Sequence, residues 1–491
     1  MKMNDKLIFN LMNTDNCMRK TDAFCDFFRS KKGRVSAHSQ LLFLLIFNIL
    51  FTFSLFAQQD VEAARRDIIK YGTEVEIAAL IQTLRMENTD YLDNELKTLI
   101  QTSRNQRILT GVFGFFGERE KGGLEERAIK AITEREEETN ETILSAMDYL
   151  GRIKSAEAVP VLMSLLDTEE RRFMNTGFRA IGRASSGDTK LADETAEFLV
   201  DFYNDRDPAS DSRSVIIASI GETRSSLGVT LLVDIATNTD ERLPLRIAAL
   251  DALSKIGDPK GLDAILTCVS TNDPNVRSSA VAALGPFSGE NVDSAILDAF
   301  RDSYYRTRLA AAQASRDRKL TAAVPYLRFR AERDDVPNVK DEAIRALGAI
   351  ANDEALEILN TLFTERKNSD RVRILSADML MRNSGGREFN KLIIELDEAK
   401  LRNQTVLYNG FLKVVGESVL EGDKTEIEKI AQRFMKNGTA IEKLYGLDMA
   451  QNNKLVNLKD EILTLTKERN ESIARRARRA AEELGIEIPD V

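Results

Sequence analysis

The chain has 491 residues, 43% apolar and 30% charged, with 9 Pro, 26 Gly, 3 Cys, one His and no Trp. That is more chain than one compact core accommodates, and so little Pro argues against long linkers, so an architecture that extends its core in one dimension is expected. A net charge of −9 disfavours duplex nucleic acid as a partner.

In chain order, the first element is a leader. Arg29, Lys31, Lys32 and Arg34 precede an apolar run from Leu41 to Phe56, which ends at Ala57 before Gln58, Gln59 and Asp60. Basic, then apolar, then small is the order of a secretory signal peptide, so residues 1–57 are expected to direct export to the periplasm, with cleavage near Ala57. A start at Met18 would give a leader of more usual length. The run is short for a membrane span; retention of residues 41–57 as an inner-membrane anchor is the alternative, and membrane contact is expected only in that case.

Residues 1–57 carry 8 Lys/Arg and 4 Asp/Glu, so their removal moves the net charge from −9 to −13. They also hold His38, Cys17 and Cys25, leaving Cys268 as the single thiol. Such a chain has no Ser-His-Asp or Cys-His constellation, no His-ligated zinc and no intrachain disulfide. No catalytic residue, metal or cofactor is implied.

Residues 58–139 read as divergent helical repeats. Gly111, Gly114 and Gly117 alternate with Val112, Phe113, Phe115 and Phe116, but no GK[ST] ending or preceding strand supports a phosphate loop, and the aromatics are expected to pack a helix. The acidic run from Glu134 to Glu141 lacks the Asp/Asn/Gly order of a calcium loop and reads as a solvated loop or helix start.

Residues 140–385 carry the clearest pattern. Arg213, Arg246, Arg277, Arg308, Lys340 and Arg373 follow one another at steps of 33, 31, 31, 32 and 33 residues, each opening a phrase with small or branched apolar residues three, four and six places on. A period near 32 with helical spacing implies stacked helical hairpins, none of which buries its apolar stripe without its neighbours. In the best-formed unit, Leu262, Ile265, Leu266 and Val269 define a first helix and residues 275–284 a second, with Asp273 before Pro274 as an N-cap followed by a first-turn proline. Glycines at 72, 117, 151, 182, 221, 257, 285, 348, 385, 416 and 485 are expected to mark left-handed turns after second helices, giving about a dozen repeats when two unmarked units, near Arg318 and Asn452, are counted. Residues 386–491 continue as divergent repeats and a cap, in which Arg475, Arg476, Arg478 and Arg479 are expected to pair with Glu471, Glu482 and Glu483.

The phrase Leu245-Arg-Ile-Ala-Ala-Leu-Asp-Ala-Leu-Ser-Lys-Ile-Gly-Asp-Pro-Lys260 resembles a HEAT repeat of the short bacterial type, the class described in phycobilin lyases. The resemblance implies an all-α, α-α superhelix whose second helices line the concave side, serving mostly as a protein-binding scaffold; no lyase residues are present to transfer. The six basic residues are expected to form a structural ladder, pairing with Asp211, Glu241, Asp273, Asp302, Asp335 and Asp370 in the turns. Binding to a protein partner in the cell envelope is expected at exposed second-helix positions such as Asp251, Glu342, Arg345 and Asp378. A ligand-handling or lyase-type enzyme is the alternative that the resemblance leaves open.

Overall fold

A computed structural model describes residues 61–87, 89–206 and 208–488; the leader lies outside them. All regular structure among the described residues is helical. The chain divides into two units within one helix, after Phe115.

The described part of the first unit comprises helix α1 (61–71), α2 (Glu74–Glu87), α3 (Asp93–Thr102) and the start of α4 (Gln106–Glu118). Leu84, Leu96, Ile100, Val112, Phe113 and Phe115 are its buried centre, so the glycine-interrupted aromatic run is a packed helix. Gly111 and Gly114 sit on α4 where the approaching groups are Ile81 and the Arg85 guanidinium, both on α2.

The second unit is a stack of eleven helical hairpins. In order they are α5 (Glu125–Thr133) with α6 (Asn140–Arg152), α7 (Val159–Leu166) with α8 (Arg171–Ser185), α9 (Thr189–Asp205) with α10 (Ser210–Thr223), and α11 (Val229–Thr237) with α12 (Leu243–Ile256). Then come α13 (Leu262–Val269) with α14 (Pro274–Ala283), α15 (Glu290–Ala299) with α16 (Tyr305–Asp317), α17 (Val324–Arg333) with α18 (Pro337–Ile350), and α19 (Asp353–Thr364) with α20 (Asp370–Asn383). The last are α21 (Phe389–Leu401) with α22 (Thr405–Glu417), α23 (Thr425–Asn437) with α24 (Ala440–Asn452), and α25 (Lys459–Leu465) with α26 (Glu471–Glu483). Both units expected without a glycine mark are present, as α15–α16 and α23–α24.

Within the second unit, from α6 to α26, each even-numbered helix packs along the next even-numbered helix, whereas odd-numbered helices touch one another sparsely. Close spacing in one layer and wide spacing in the other curves a stack, with the second helices on the inside: an α-α superhelix. The stripe of α13 is rotated from its expected setting, with Ala264, Ile265 and Cys268 deepest and Leu262, Leu266 and Val269 half-buried.

The glycines explain the close inner layer, and for a reason other than the one expected. Gly151, Gly182, Gly221, Gly348 and Gly416 lie inside second helices rather than beyond them. A Cβ at Gly221 would stand 2.7 Å from the Cα of Ala252, and one at Gly151 would stand 2.8 Å from the Cα of Ala180. At Gly151, Gly182 and Gly221 the missing side chain lets adjacent helix backbones meet, whereas Gly348 and Gly416 make room for the Met379 and Tyr445 side chains of the next second helix. The left-handed turn falls to glycine, as expected, at Gly257 (φ 69°), Gly385 (φ 63°) and Gly485 (φ 66°), but Arg224 (φ 60°) and Ala351 (φ 52°) take it after α10 and α18. Helix starts follow sequence more directly: the Asp273 carboxylate accepts from the amides of Asn275 and Val276 at 2.8 and 3.2 Å, and Pro274 opens α14.

Candidate functional site

The six basic residues sit in the first turns of α10, α12, α14, α16, α18 and α20, and Arg246, Arg308 and Arg373 are buried. Three reach back to carbonyls left open at the end of the preceding first helix, and Arg277 and Arg308 to carbonyls of the turn that follows it. Arg246 Nε donates to Ala236 O at 3.0 Å, Lys340 Nζ to Glu332 O at 3.0 Å, and Arg373 Nε to Phe363 O at 2.8 Å. Arg213 lies over the Tyr203 ring, 5.3 Å from its centroid, and donates weakly to Pro208 O at 3.4 Å.

Three of the six also bridge forward to the next hairpin. Arg277 forks onto Asp302 (2.7 and 3.0 Å), Arg308 forks onto Asp334 (2.7 and 2.8 Å), and Arg373 reaches Glu395 at 2.5 Å. Arg308 also reaches Asp335 at 2.7 Å, but that side chain is 85% exposed and Asp334 is 0% exposed, so Asp334 is the deep partner. Burial pushes the Asp334 carboxyl upward, yet the Arg308 fork, the Val336 amide and Arg330 outweigh it and hold it below the ordinary carboxylate value. Asp302 is held down in the same way by Arg277 and the Tyr304 amide, against its own burial.

The four positions expected to face a partner differ among themselves. Asp251 on α12 is open, its side chain 62% exposed beside Lys255 at 3.1 Å. Arg345 on α18 is exposed, and Asp378 on α20 is half-buried against Arg382 at 2.7 Å. Glu342, expected to be exposed, is instead buried: it accepts from Arg316 of α16 and, at 3.4 Å, from Arg345. It is a clamp between α16 and α18, and Arg345 is exposed just above it. The next residue back, Asp341, is also buried, accepting from Arg371 of α20 at 2.9 Å.

A further carboxylate centre was not anticipated from sequence. Glu442, buried at the start of α24, accepts from Lys400 Nζ at 2.8 Å, Tyr408 OH at 2.8 Å and the Thr439 amide at 2.7 Å. Burial raises its pKa, but these donors prevail and hold it at about 2. The Thr439/Glu442 spacing is a capping box, a signal visible in sequence; the Lys400 and Tyr408 contacts come from a neighbouring hairpin and are not.

In α26, Arg479 pairs with Glu483 at 2.8 Å, while Arg476 turns back to Asp448 of α24 at 2.5 Å. The acidic run forms a short 3-10 turn, Arg135–Glu137, and Glu138 accepts from Arg127 at 2.6 Å. Cys268 is buried and its Sγ–H points to Ala236 O at 3.4 Å; burial pushes the thiol pKa up, against the nearby Arg246, so it packs as a small apolar residue. Among the described residues no group of His, Cys, Asp and Glu is placed to hold a metal ion. No described helix is long and apolar enough to cross a membrane.

Repeated two-helix units, a close inner layer of second helices and basic first-turn residues that join successive turns define a HEAT-type solenoid. A family model described as "Spirochaete HEAT repeat protein" matches residues 69–480, and the chain belongs to that family. Among solved structures it is similar to a mutant of Kap121p (12% identity, 86% of this chain and 53% of that one, TM-score 0.44). It is also similar to the karyopherin Kap121p bound to the extreme C-terminus of the protein phosphatase Cdc14p (12% identity, 92% and 57%, TM-score 0.42). A third likeness is to the Escherichia coli protein YibA (16% identity, 55% and 96%, TM-score 0.36). The chain spans about half the length of Kap121p. No curated protein matches the sequence.

Proposed function

We propose that the protein is an exported, non-catalytic scaffold that binds another protein of the cell envelope along its helical stack. The observation that carries this reading is the solenoid itself: eleven hairpins of the second unit present one continuous inner layer, with exposed and half-buried side chains from successive second helices available to a partner. Asp251, Arg345 and Asp378 are positions on that layer from which a partner would be read. The leader of residues 1–57, basic then apolar then small, supports export, and residues 58–139, 140–385 and 386–491 would serve as entry repeats, central repeats and cap.

The test is a crosslinked affinity capture from intact cells with a tag at Val491, reading both the recovered proteins and the chain's own N-terminus by mass spectrometry. Repeated recovery of one envelope protein with a start near Gln58 is the expected result. Recovery of the chain alone, or of cytoplasmic proteins with an unprocessed leader, would overturn the reading.

A further inference from the structure

The outer, first-helix layer carries an aromatic groove with a basic rim. Between the end of α15 and the start of α17, which make little close backbone contact, an open groove of about 370 Å³ is lined by Phe300, Arg301, Pro325, Tyr326, Phe329 and Arg330. Its floor is apolar: Phe300 is buried, and its ring stacks on Tyr326 with centroids 5.7 Å apart. Its wall is an exposed aromatic, Phe329, half of whose surface (51%) faces solvent. An exposed phenylalanine beside a stacked aromatic pair leaves apolar area that a ligand side chain would cover.

The rim is cationic. The Arg301 guanidinium lies 5.2 Å from the Tyr326 ring centroid and donates to the Tyr326 hydroxyl at 3.1 Å; the Arg330 guanidinium lies 5.2 Å from the Phe329 centroid. Local carboxylates do not balance these charges. Asp298 takes Arg301 at 2.8 Å and Glu332 takes Arg328 at 3.0 Å, but Arg330 has only a share of Asp334, at 3.3 Å, because Arg308 already holds both oxygens of that carboxylate. Arg333 is exposed and has no ion partner among the described residues. Burial, with Arg308 nearby, pushes the Arg330 pKa down despite Asp334. In a chain of net charge −9 this is a basic aromatic island, and electrostatic complementarity selects an anionic partner for it.

We propose that this groove docks an acidic linear segment of a protein partner, seating one aromatic side chain against Phe300, Tyr326 and Phe329 while flanking carboxylates engage Arg301, Arg330 and Arg333. The proposal rests on the protein-binding reading above and adds a place and a chemistry to it. The groove is one-sided and open, which suits a side chain on an extended segment rather than an enclosed small molecule. The island is too short to offset an acidic chain along a duplex, which favours a peptide over nucleic acid.

The test uses a short synthetic peptide with one central Trp flanked by Asp and Glu; because the protein has no Trp, peptide fluorescence reports binding alone. Saturable binding that weakens with salt is expected, falling about tenfold in Phe329→Ala and similarly in Arg301→Glu/Arg333→Glu. Arg475→Glu/Arg478→Glu, in the other basic cluster, should leave affinity unchanged. Thermal melts confirm that each variant is folded. No binding by the folded parent, equal binding of a peptide with Lys in place of Asp and Glu, or indifference to both groove variants would overturn the proposal; displacement of the peptide by duplex DNA would overturn its choice of partner. Repeating the cellular capture with Phe329→Ala separates the two readings: an envelope partner recovered undiminished keeps the scaffold and removes the groove.

Discussion

The inner and outer layers of the second unit solve the same packing problem in opposite ways. Second helices meet backbone to backbone through Gly151, Gly182 and Gly221, so their spacing is set by the absence of side chains. First helices are filled by bulk such as Leu327, Leu359, Leu362 and Phe363, and spread far enough apart to leave a groove between α15 and α17. Between the layers, the turns are tied by charge. The inner layer therefore tolerates no growth and the outer layer no truncation, and the same asymmetry puts curvature inside and accessible apolar surface outside.

Four substitutions, two of them set beside a control, would break or sharpen that contrast. The largest loss is expected from Phe363→Ala on α19, whose fully buried ring meets Phe411 edge-on with centroids 6.3 Å apart; a cavity of that kind costs about 4 kcal/mol, read by urea unfolding. Next is Asp334→Ala, which leaves the buried Arg308 with only the exposed Asp335 as a carboxylate partner and should cost about 3 kcal/mol, whereas Asp335→Ala, at the same guanidinium but exposed, should cost under about 0.5 kcal/mol. Near-equal costs for the two would show that the turn clamp is not set by depth. Gly221→Ala adds a methyl 2.7 Å from the Ala252 Cα and should cost about 2 kcal/mol, while Gly187→Ala, with open space around it, should be nearly silent. A harmless Gly221→Ala would mean the inner layer is not limited by size.

The smallest effect is the most specific. The folded pKa of Glu442 lies below its ordinary value of 4.5, at about 2, so its contribution is complete above the ordinary value and is lost as pH falls toward 2. Glu442→Gln should cost about 1 kcal/mol at neutral pH, after allowance for solvent screening, and should flatten the stability profile across that acid window. A parent and variant with parallel acid profiles would refute the assignment.

Much of this architecture was legible in the chain because a solenoid repeats its reasons. The 31–33-residue return of a basic residue, with small apolar residues behind it, located second helices even where glycine was missing. The Asp273-Pro274 pair placed the start of α14 because capping is local. What the sequence could not settle were relations between hairpins. Gly221 looks like a turn residue until Ala252, 31 positions away, is seen against it. Glu342 occupies a second-helix position of the expected kind, but only the fold brings Arg316 onto it. Adjacent Asp334 and Asp335 are equivalent to a periodicity argument, and a single residue of register decides which is buried. The outer groove gave no motif, since its six lining residues come from two segments separated by a whole second helix.

The forward-reaching arginines carry a consequence for how the stack melts. Arg277 holds the Asp302 carboxylate, the Asp302 carbonyl accepts from Arg308 at 3.1 Å, and Arg308 holds Asp334, so α14, α16 and α18 are threaded on one unbroken relay of side chain and backbone. In a linear array, the free energy of a boundary between ordered and melted repeats depends on which junction it crosses. A boundary drawn through this relay severs a buried ion pair; one drawn elsewhere need not. Opening the hairpins α13–α14, α15–α16 and α17–α18 one at a time therefore costs a buried ion pair at each junction, as it does further on where Arg371 meets Asp341 and Arg373 meets Glu395, so these junctions resist fraying.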